Sequence, residues 1–250
     1  MSLKQKIRSQ QPLLGTFIKT THYHNTEVLA LSNLDLLCLD AEHAPFDRSD
    51  LDQCVLAAKA NNKPVVIRVP DANDSTLLNA LDIGADGVVL PHIKTAKQAI
   101  EICKKCFFGD GGRGFAGSTR FAQYTTAGIP KTLAKSVNQT CVIAQIEDLV
   151  ALDEIDQICQ IDDIDCIFIG RIDLTISLGQ TDPSHPSVVA AVETIVNACN
   201  THNKACGMFV GNLAELPQWK KLGVSLFLLG SDHNFLLSGA NSLRAAFDNE

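Results

Sequence analysis

The sequence has no run of apolar residues long enough to cross a membrane. Its apolar runs fall well short of the about 18 residues that a spanning helix needs. The N-terminal stretch MSLKQKIRSQQPLLGTF also lacks the apolar core and the small-residue cleavage site of a signal peptide. We therefore expect neither a membrane span nor secretion.

Positive charge is scarce as well. The chain has 21 Lys and Arg against 28 Asp and Glu, which gives a net charge of -7. Nucleic acids and anionic membrane surfaces bind clusters of basic residues, so we expect neither as the main partner. The expected ligand is a small molecule, and it can be anionic if it meets a local cationic pocket.

The sequence also has no Cys/His cluster with zinc spacing, which argues against a structural zinc ion. Its nine cysteines are an odd number, and most lie in apolar segments, as do Cys38, Cys141, Cys166 and Cys206. Buried thiols suit a reducing compartment better than a disulfide framework does. The cysteines therefore predict a cytoplasmic location.

What the sequence does contain is a repeat of short apolar runs and helical segments, the pattern of βα units in a parallel sheet. The eight runs occupy residues 13–19, 34–40, 64–69, 87–93, 141–147, 166–171, 205–211 and 225–231. The predicted helices occupy residues 26–33, 48–61, 75–83, 95–106, 148–160, 187–203, 213–222 and 233–247. No long Gly/Pro-rich linker interrupts them. The pattern predicts an α/β chain with one (β/α)₈ TIM barrel, a single domain over residues 1–250.

One connection is unusually long. Residues 107–140 separate the fourth predicted helix from the fifth predicted strand and contain five glycines in FFGDGGRGFAG. A loop of that length in a compact domain is usually a lid, a subunit contact or a disordered segment. We therefore predict a long loop over residues 107–140.

The polar residues that could do chemistry follow the predicted strands. In barrels of this class the active site lies at the C-terminal ends of the strands, so we expect these side chains to gather at one rim. They are Asp40, Glu42, His43, Arg68, His92, Gln145, Glu147, Arg171, Asp173, Ser231 and Asp232.

Glu147 and Asp173 are candidate metal ligands. Carboxylate oxygens with open coordination positions suit Mg²⁺, Mn²⁺ or Co²⁺, and the open positions let a substrate chelate the ion. The alternative is that Glu147 caps the next helix and Asp173 pairs with Arg171. The residues alone leave both interpretations open.

Arg68 and His43 are candidates for contact with the substrate. An arginine inside the apolar run VVIRVP must meet an anion, which is either a ligand or a rim carboxylate such as Asp40. An imidazole titrates near neutral pH, so His43 is a candidate general base, with a structural hydrogen-bonded histidine as the alternative.

Seven segments between residues 14 and 179 resemble, in order, the HpcH/HpaI family of class II aldolases. They read LGTFIKT, LDAEHAPFD, VVIRVP, LLNALDIGADGVVLPHIKTAKQA, GGRGFAGSTRFAQY, VIAQIED and IFIGRIDLTISLG. The resemblance implies a metal-dependent aldolase that splits a 4-hydroxy-2-oxo acid into pyruvate and an aldehyde. It also implies a homo-oligomer, a hexamer assembled from dimers being common in the family.

Carried over by position, the resemblance implies a role for several residues. Glu147 and Asp173 resemble the metal ligands, and Gln145 resembles a residue beside the metal that contacts the substrate. The backbone from Gly170 through Ile172 to Asp173 resembles the segment that receives the pyruvate carboxylate.

The resemblance also implies three catalytic residues. Arg68 resembles the arginine that contacts the oxo acid, and His43 resembles the histidine proposed as base. Asp82 resembles a catalytic acidic residue, although its place before the fourth strand puts it at the opposite rim and within easier reach of a neighbouring subunit's site. Arg171 and His92 depart from the family pattern.

Two alternatives to this function remain open from the sequence. A related barrel lyase could act on another oxo acid or on a coenzyme A ester. A barrel that binds a small acid without turning it over would lack a metal ligand or a base, and neither is missing here.

Overall fold

The computed structural model describes residues 1–249 and contains a closed barrel of eight parallel strands, in which each strand pairs with the next along the chain and β1 pairs with β8. The strands are β1 Leu13–Ile18, β2 Leu36–Asp40, β3 Val65–Arg68, β4 Gly87–Leu90, β5 Cys141–Ile146, β6 Cys166–Ile169, β7 Ala205–Val210 and β8 Leu226–Ser231. Every predicted strand is present, one to three residues shorter at its ends. The predicted (β/α)₈ barrel is confirmed.

Helices surround the barrel. They are α1 Leu3–Arg8, α2 Tyr23–Ala30, α3 Arg48–Ala60, α4 Asp74–Asp82, α5 Ala96–Lys104, α6 Ile129–Gln139, α7 Ile155–Cys159, α8 Arg171–Ser177, α9 Pro186–Thr201, α10 Leu216–Leu222 and α11 Asp232–Asp248. Short 3₁₀ turns, Leu149–Glu154 and Leu213–Glu215, precede α7 and α10. All eight predicted helices are present, two of them as a 3₁₀ turn followed by an α-helix.

The alternation of side chains along the strands decides which residues enter the barrel. Leu36 and Cys38 of β2 belong to the interior cluster, so Asp40, two positions further on, points the same way at the upper end of the strand. Val66 of β3 likewise leads to Arg68. A period of two therefore delivers these polar residues to the mouth of the barrel, above an apolar filling that α1 helps to close from below.

The prediction of a loop over residues 107–140 is wrong for the last third of this range, where α6 forms. Gly128, with a φ of 71°, and Pro130 start this helix. Its buried residues are Thr132 and Ser136, whereas Leu133 is exposed. Because the apolar side chains of α6 point away from the barrel, the apolar pattern of the sequence did not indicate a helix packed on it.

A buried carboxylate at the start of α11 links the first and last strands of the barrel. One oxygen of Asp232 accepts the backbone N–H of Lys19 at 2.9 Å and the other accepts that of Thr20 at 2.9 Å. Asp232 thereby ties the end of β8 to the end of β1. This role accounts for one of the strand-end carboxylates without any part in chemistry.

The rest of α11 lies away from the barrel. Every residue from 233 to 249 is exposed, including the large apolar side chains of Phe235, Leu236, Leu237, Leu243 and Phe247. In a barrel of this class the last helix normally covers the sheet. Within residues 1–249, this helix leaves its apolar side chains in solvent.

Candidate active site

Asp40 and Arg68 form the base of the site. They are register partners on β2 and β3. The guanidinium donates from Nε to Asp40 Oδ1 at 3.0 Å, and its Nη2 atom lies 2.8 Å from Oδ2 as an ion pair. Burial raises the pKa of Asp40, but the hydrogen bond and charge of Arg68, together with the charge of Lys19, outweigh burial and leave that pKa below its usual value. The alternative anion considered for Arg68 is therefore present in the structure.

Arg68 has contacts on two further sides. Its Nε lies 3.3 Å from Glu42, and its guanidinium lies 4.6 Å from the centre of the Phe17 ring. These contacts fix the plane of the guanidinium at the mouth of the barrel. Burial raises the pKa of Glu42 despite the charge of Arg68.

Glu147 is buried just beyond the end of β5. One of its oxygens accepts the backbone N–H of His92 at 2.8 Å, and the other accepts the side-chain amide of Gln145. A Cβ added at Gly170 would lie 2.7 Å from Glu147 Oε2, so only glycine lets β6 pass this close. Glu147 does not cap the following 3₁₀ turn, whose N-cap is Asp148.

Glu147, Glu42 and His92 form a group that could hold a metal ion. Their ligand atoms all lie within 4.8 Å of one another. The Oε1 atom of Gln145, which is buried beside Glu147, has no hydrogen-bond partner within residues 1–249. Two carboxylates, an imidazole and an unpartnered amide oxygen are a donor set that suits a divalent cation.

A cavity of about 500 Å³ opens beside this group at the C-terminal ends of the strands. Its lining includes Arg68, Gln145, His43, Ile172 and Asp173. The structure thus brings together at one cavity all the predicted substrate contacts and Asp173, whereas the predicted ligand Glu147 lies behind Gln145. The roles assigned to these residues stay predictions.

His43 and Asp173 reach the cavity from opposite strands. The His43 side chain is about half exposed, and its Nε2 atom lies 3.7 Å from Glu42. Asp173 is exposed in the first turn of α8. The ion pair considered for Asp173 is replaced by another, because Arg171 binds Glu215 at 2.5 Å.

Asp82 lies at the opposite rim, at the end of α4 and ahead of β4, as its place in the sequence predicts. Its Oδ1 atom is 3.7 Å from Nη1 of Arg113, whose guanidinium packs against the rings of both Phe108 and Phe121. Within residues 1–249, neither Asp82 Oδ1 nor any guanidinium nitrogen of Arg113 has a hydrogen-bond partner. Burial raises the pKa of Asp82 and lowers that of Arg113 to about 10.

The sequence interpretation missed His92 as a candidate ligand. Burial lowers the pKa of His92, but its hydrogen bond to Asp148 and the charges of Glu147 and Glu42 outweigh burial and raise it. The signal was available, because His92 follows the end of β4 directly, where a polar residue reaches the rim. Its position had been expected to be apolar.

A barrel with carboxylates, an arginine and an imidazole at its C-terminal rim suits chemistry on a small acidic molecule, and the comparison of sequences narrows the class. Residues 13–238 match the family described as HpcH/HpaI aldolase/citrate lyase. The chain belongs to this family, and the resemblance inferred from its seven segments is confirmed.

Similar proteins are aldolases by name. The chain is 30% identical over 246 residues to the 5-keto-4-deoxy-D-glucarate aldolase of Klebsiella pneumoniae, covering 98% of this chain and 95% of the relative. It is also 30% identical to the 4-hydroxy-2-oxovalerate aldolase of Rhodococcus jostii, with the same coverage. An HpcH/HpaI aldolase/citrate lyase family protein from Burkholderia cenocepacia has a similar structure, with a TM-score of 0.93, 31% identity and 98% of both chains covered. The prediction of an aldolase-type lyase is confirmed at the level of the family.

Two further expectations concern membrane spans and the state of the cysteines. No helix within residues 1–249 is long and apolar enough to cross a membrane. All nine cysteines are free thiols in buried positions.

Proposed function

We propose that the chain is a metal-dependent aldolase that cleaves a 4-hydroxy-2-oxo acid to pyruvate and an aldehyde. The observation that supports this most directly is the cavity where Arg68, Gln145, His43 and Asp173 meet beside buried Glu147. A buried carboxylate without a cation is costly, and Glu147 receives only N–H donors from His92 and Gln145. A divalent cation would complete its surroundings.

The proposed ion is Mg²⁺, Mn²⁺ or Co²⁺, held by Glu147 and Asp173. The donor set fits such an ion, since carboxylate oxygens and the unpartnered Oε1 atom of Gln145 are hard ligands. When bound, the ion supplies Lewis-acid polarisation of the keto group, a contribution of several kcal/mol in comparable enzymes.

Arg68 contributes fixed positive charge. Its guanidinium is held by Asp40 on one side and by the ring of Phe17 on another, so its direction is set before the substrate arrives. During cleavage, negative charge develops on the keto oxygen of the departing pyruvate unit. A donor oriented in advance stabilises that charge without reorganisation.

His43 is proposed as the base. It takes the proton from the 4-hydroxyl group, directly or through a water, while the bond between C3 and C4 breaks and its electron pair passes to the pyruvate unit. The hydroxyl carbon leaves as the aldehyde. A proton then returns to C3 to give pyruvate. The backbone from Gly170 to Asp173, where α8 begins, is proposed to receive the substrate carboxylate.

Proton exchange at the methyl group of pyruvate in heavy water, followed by NMR, tests this proposal without knowledge of the aldehyde. We expect exchange with Mg²⁺, Mn²⁺ or Co²⁺, no exchange with a chelator, and none in Glu147→Gln. The control is Glu101→Gln, an exposed carboxylate on α5. Absence of exchange with all three ions would contradict the pyruvate assignment and favour another acid or a barrel without turnover.

We further propose that the active unit is a homo-oligomer in the cytoplasm. The exposed apolar residues of α11, such as Leu243 and Phe247, and of α6, such as Leu133, support assembly. Asp82 lies at the rim opposite its own chain's site, so we propose that it serves the site of a neighbouring subunit. The buried free thiols support a reducing compartment.

A further inference from the structure

The imidazole of His92 is oriented as metal-binding histidines commonly are. Its Nδ1 atom lies 3.1 Å from Asp148 Oδ2. A carboxylate accepts hydrogen bonds and cannot donate them when ionised, so the proton of the neutral ring is on Nδ1. The lone pair of Nε2 is then free.

The free nitrogen faces an oxygen donor of the same site. Nε2 lies 3.7 Å from Glu42 Oε1, while Nδ1 is the atom near Glu147, at 3.3 Å. Donors that share an ion about 2.1 Å away are about 3 to 4 Å apart, so the separation of Nε2 from Glu42 matches a shared ion. A carboxylate hydrogen-bonded to the far nitrogen is the usual support for a metal-binding imidazole.

The backbone holds His92 in this place. Its φ is 53°, in the left-handed region that residues other than glycine rarely adopt. Its backbone N–H donates to Glu147 at 2.8 Å. The backbone of His92 thus binds Glu147, and its imidazole ring faces Glu42. Lys94 also binds Asp148, at 3.3 Å, which fixes the carboxylate that orients the ring.

We propose that His92 is an additional ligand, through Nε2, of the ion proposed above, and that its nitrogen shifts the preference of the site from Mg²⁺ toward Co²⁺ or Mn²⁺. The inference rests on the proposed function for the presence of an ion at this rim. Imidazole nitrogen binds transition metals well, whereas Mg²⁺ strongly prefers oxygen. A nitrogen ligand raises affinity for Co²⁺ more than for Mg²⁺.

Pulsed EPR of the Mn²⁺-loaded protein tests the bond directly. A bound imidazole gives a ¹⁴N coupling, which we expect in the wild type and not in His92→Asn or His92→Met. Asparagine tolerates the left-handed backbone better than most residues, so His92→Asn keeps the test valid if the methionine variant folds poorly. The matched control is His43→Asn, because that imidazole also lies 3.7 Å from Glu42, and it should keep the coupling.

Calorimetric titration with each ion tests the preference. We expect the ratio of Co²⁺ to Mg²⁺ affinity to fall by about 10-fold or more in His92→Asn and to change little in His43→Asn. Asp148→Asn should weaken Co²⁺ binding and keep the ¹⁴N coupling, since it removes only the support of the ring.

The outcomes separate this inference from the proposed function. Metal-dependent exchange of pyruvate without ¹⁴N coupling in the wild type would overturn the role of His92 and leave the aldolase proposal standing. Coupling that His92→Asn removes, without exchange, would support the role of His92 and overturn the aldolase proposal. A wild-type protein that binds none of the three ions would overturn both.

Discussion

Two buried arginines of this barrel have very different surroundings. Arg68 lies at the rim formed by the C-terminal ends of the strands, called here the upper rim, and Arg113 lies at the opposite, lower rim. The Arg68 side chain is 9% exposed and is held by Asp40 through a hydrogen bond of 3.0 Å and an ion-pair contact of 2.8 Å. The Arg113 side chain is fully buried, and its nearest carboxylate, Asp82, is 3.7 Å away. Arg68 and Asp40 are hydrogen-bonded within one chain. Arg113 and Asp82 lie near each other but form no hydrogen bond.

The difference appears in their electrostatics. Burial lowers the pKa of Arg68, but the hydrogen bond and charge from Asp40 more than compensate and raise it. Burial lowers the pKa of Arg113 to about 10, because the more distant Asp82 compensates only in part. A buried cation normally has close anionic partners, so the lower rim shows where a further contact, such as a neighbouring subunit, would stabilise the structure.

The largest expected effect comes from Arg68→Met. Removing the guanidinium leaves buried Asp40 with Lys19, 3.1 Å away, as its remaining cationic neighbour, so we expect a loss of about 3 kcal/mol in the free energy of unfolding, measured with urea. Pyruvate exchange should become undetectable. Arg68→Lys keeps the charge but not the fork and should lose less stability. Wild-type stability in Arg68→Met would show that the pair at the upper rim does not hold the structure as described.

Asp82→Asn should lower both turnover and stability. If the carboxylate assists proton transfer in a neighbour's site, exchange should slow by about 10² to 10⁴-fold. The free energy of unfolding should fall by about 1 to 2 kcal/mol, because the buried guanidinium of Arg113 loses a carboxylate 3.7 Å away, although no hydrogen bond is lost. Asp74→Asn, an exposed carboxylate on the same helix, is the control. Equal exchange rates in both variants would remove Asp82 from the mechanism.

Arg113→Met should shift a pH profile. Burial raises the pKa of Asp82, and the charge of Arg113 opposes this rise. Without that charge the pKa of Asp82 rises further, so less carboxylate is ionised at a given pH and the acid limb of the exchange rate moves to higher pH. Arg113→Lys should leave the limb near its wild-type position. An unchanged limb in Arg113→Met would mean that the pair is not coupled electrostatically.

The smallest effect on a single chain is expected for Leu243→Glu on α11. The side chain is 76% exposed, so the substitution should change the free energy of unfolding of one chain by less than about 0.5 kcal/mol. Light scattering should nevertheless record a lower mass than for the wild type, because a charge enters the proposed subunit contact. If light scattering shows that the wild-type protein is a monomer, the proposed subunit contact does not exist, and Asp82 cannot serve a neighbour's site.

The upper rim could be predicted from the sequence and the lower rim could not. Strand alternation places Asp40, Arg68 and Gln145 at the mouth whatever the loops do, so their meeting follows from the pattern alone. The approach of Arg113 to Asp82 depends on the path of an irregular segment, for which no periodicity exists.

Two other features were hidden for specific physical reasons. The helix α6 carries Ile129, Leu133 and Val137 on an exposed face, so its amphipathic pattern did not point to the barrel. The left-handed backbone of His92 comes from local geometry that no residue type signals here, since glycine is the usual marker of such a turn.

The pairing of β1 with β8, which Asp232 reinforces, sets a constraint on synthesis. Asp232 and its partner Lys19 are 213 positions apart. At about 5 to 20 residues per second, about 10 to 40 s pass on the ribosome between the synthesis of β1 and that of β8. During that time the outer edge of β1 has no neighbour, and an unpaired edge is where chains join one another wrongly. The ring can close only when nearly the whole chain has been made, so a truncated chain leaves an open sheet instead of a smaller barrel.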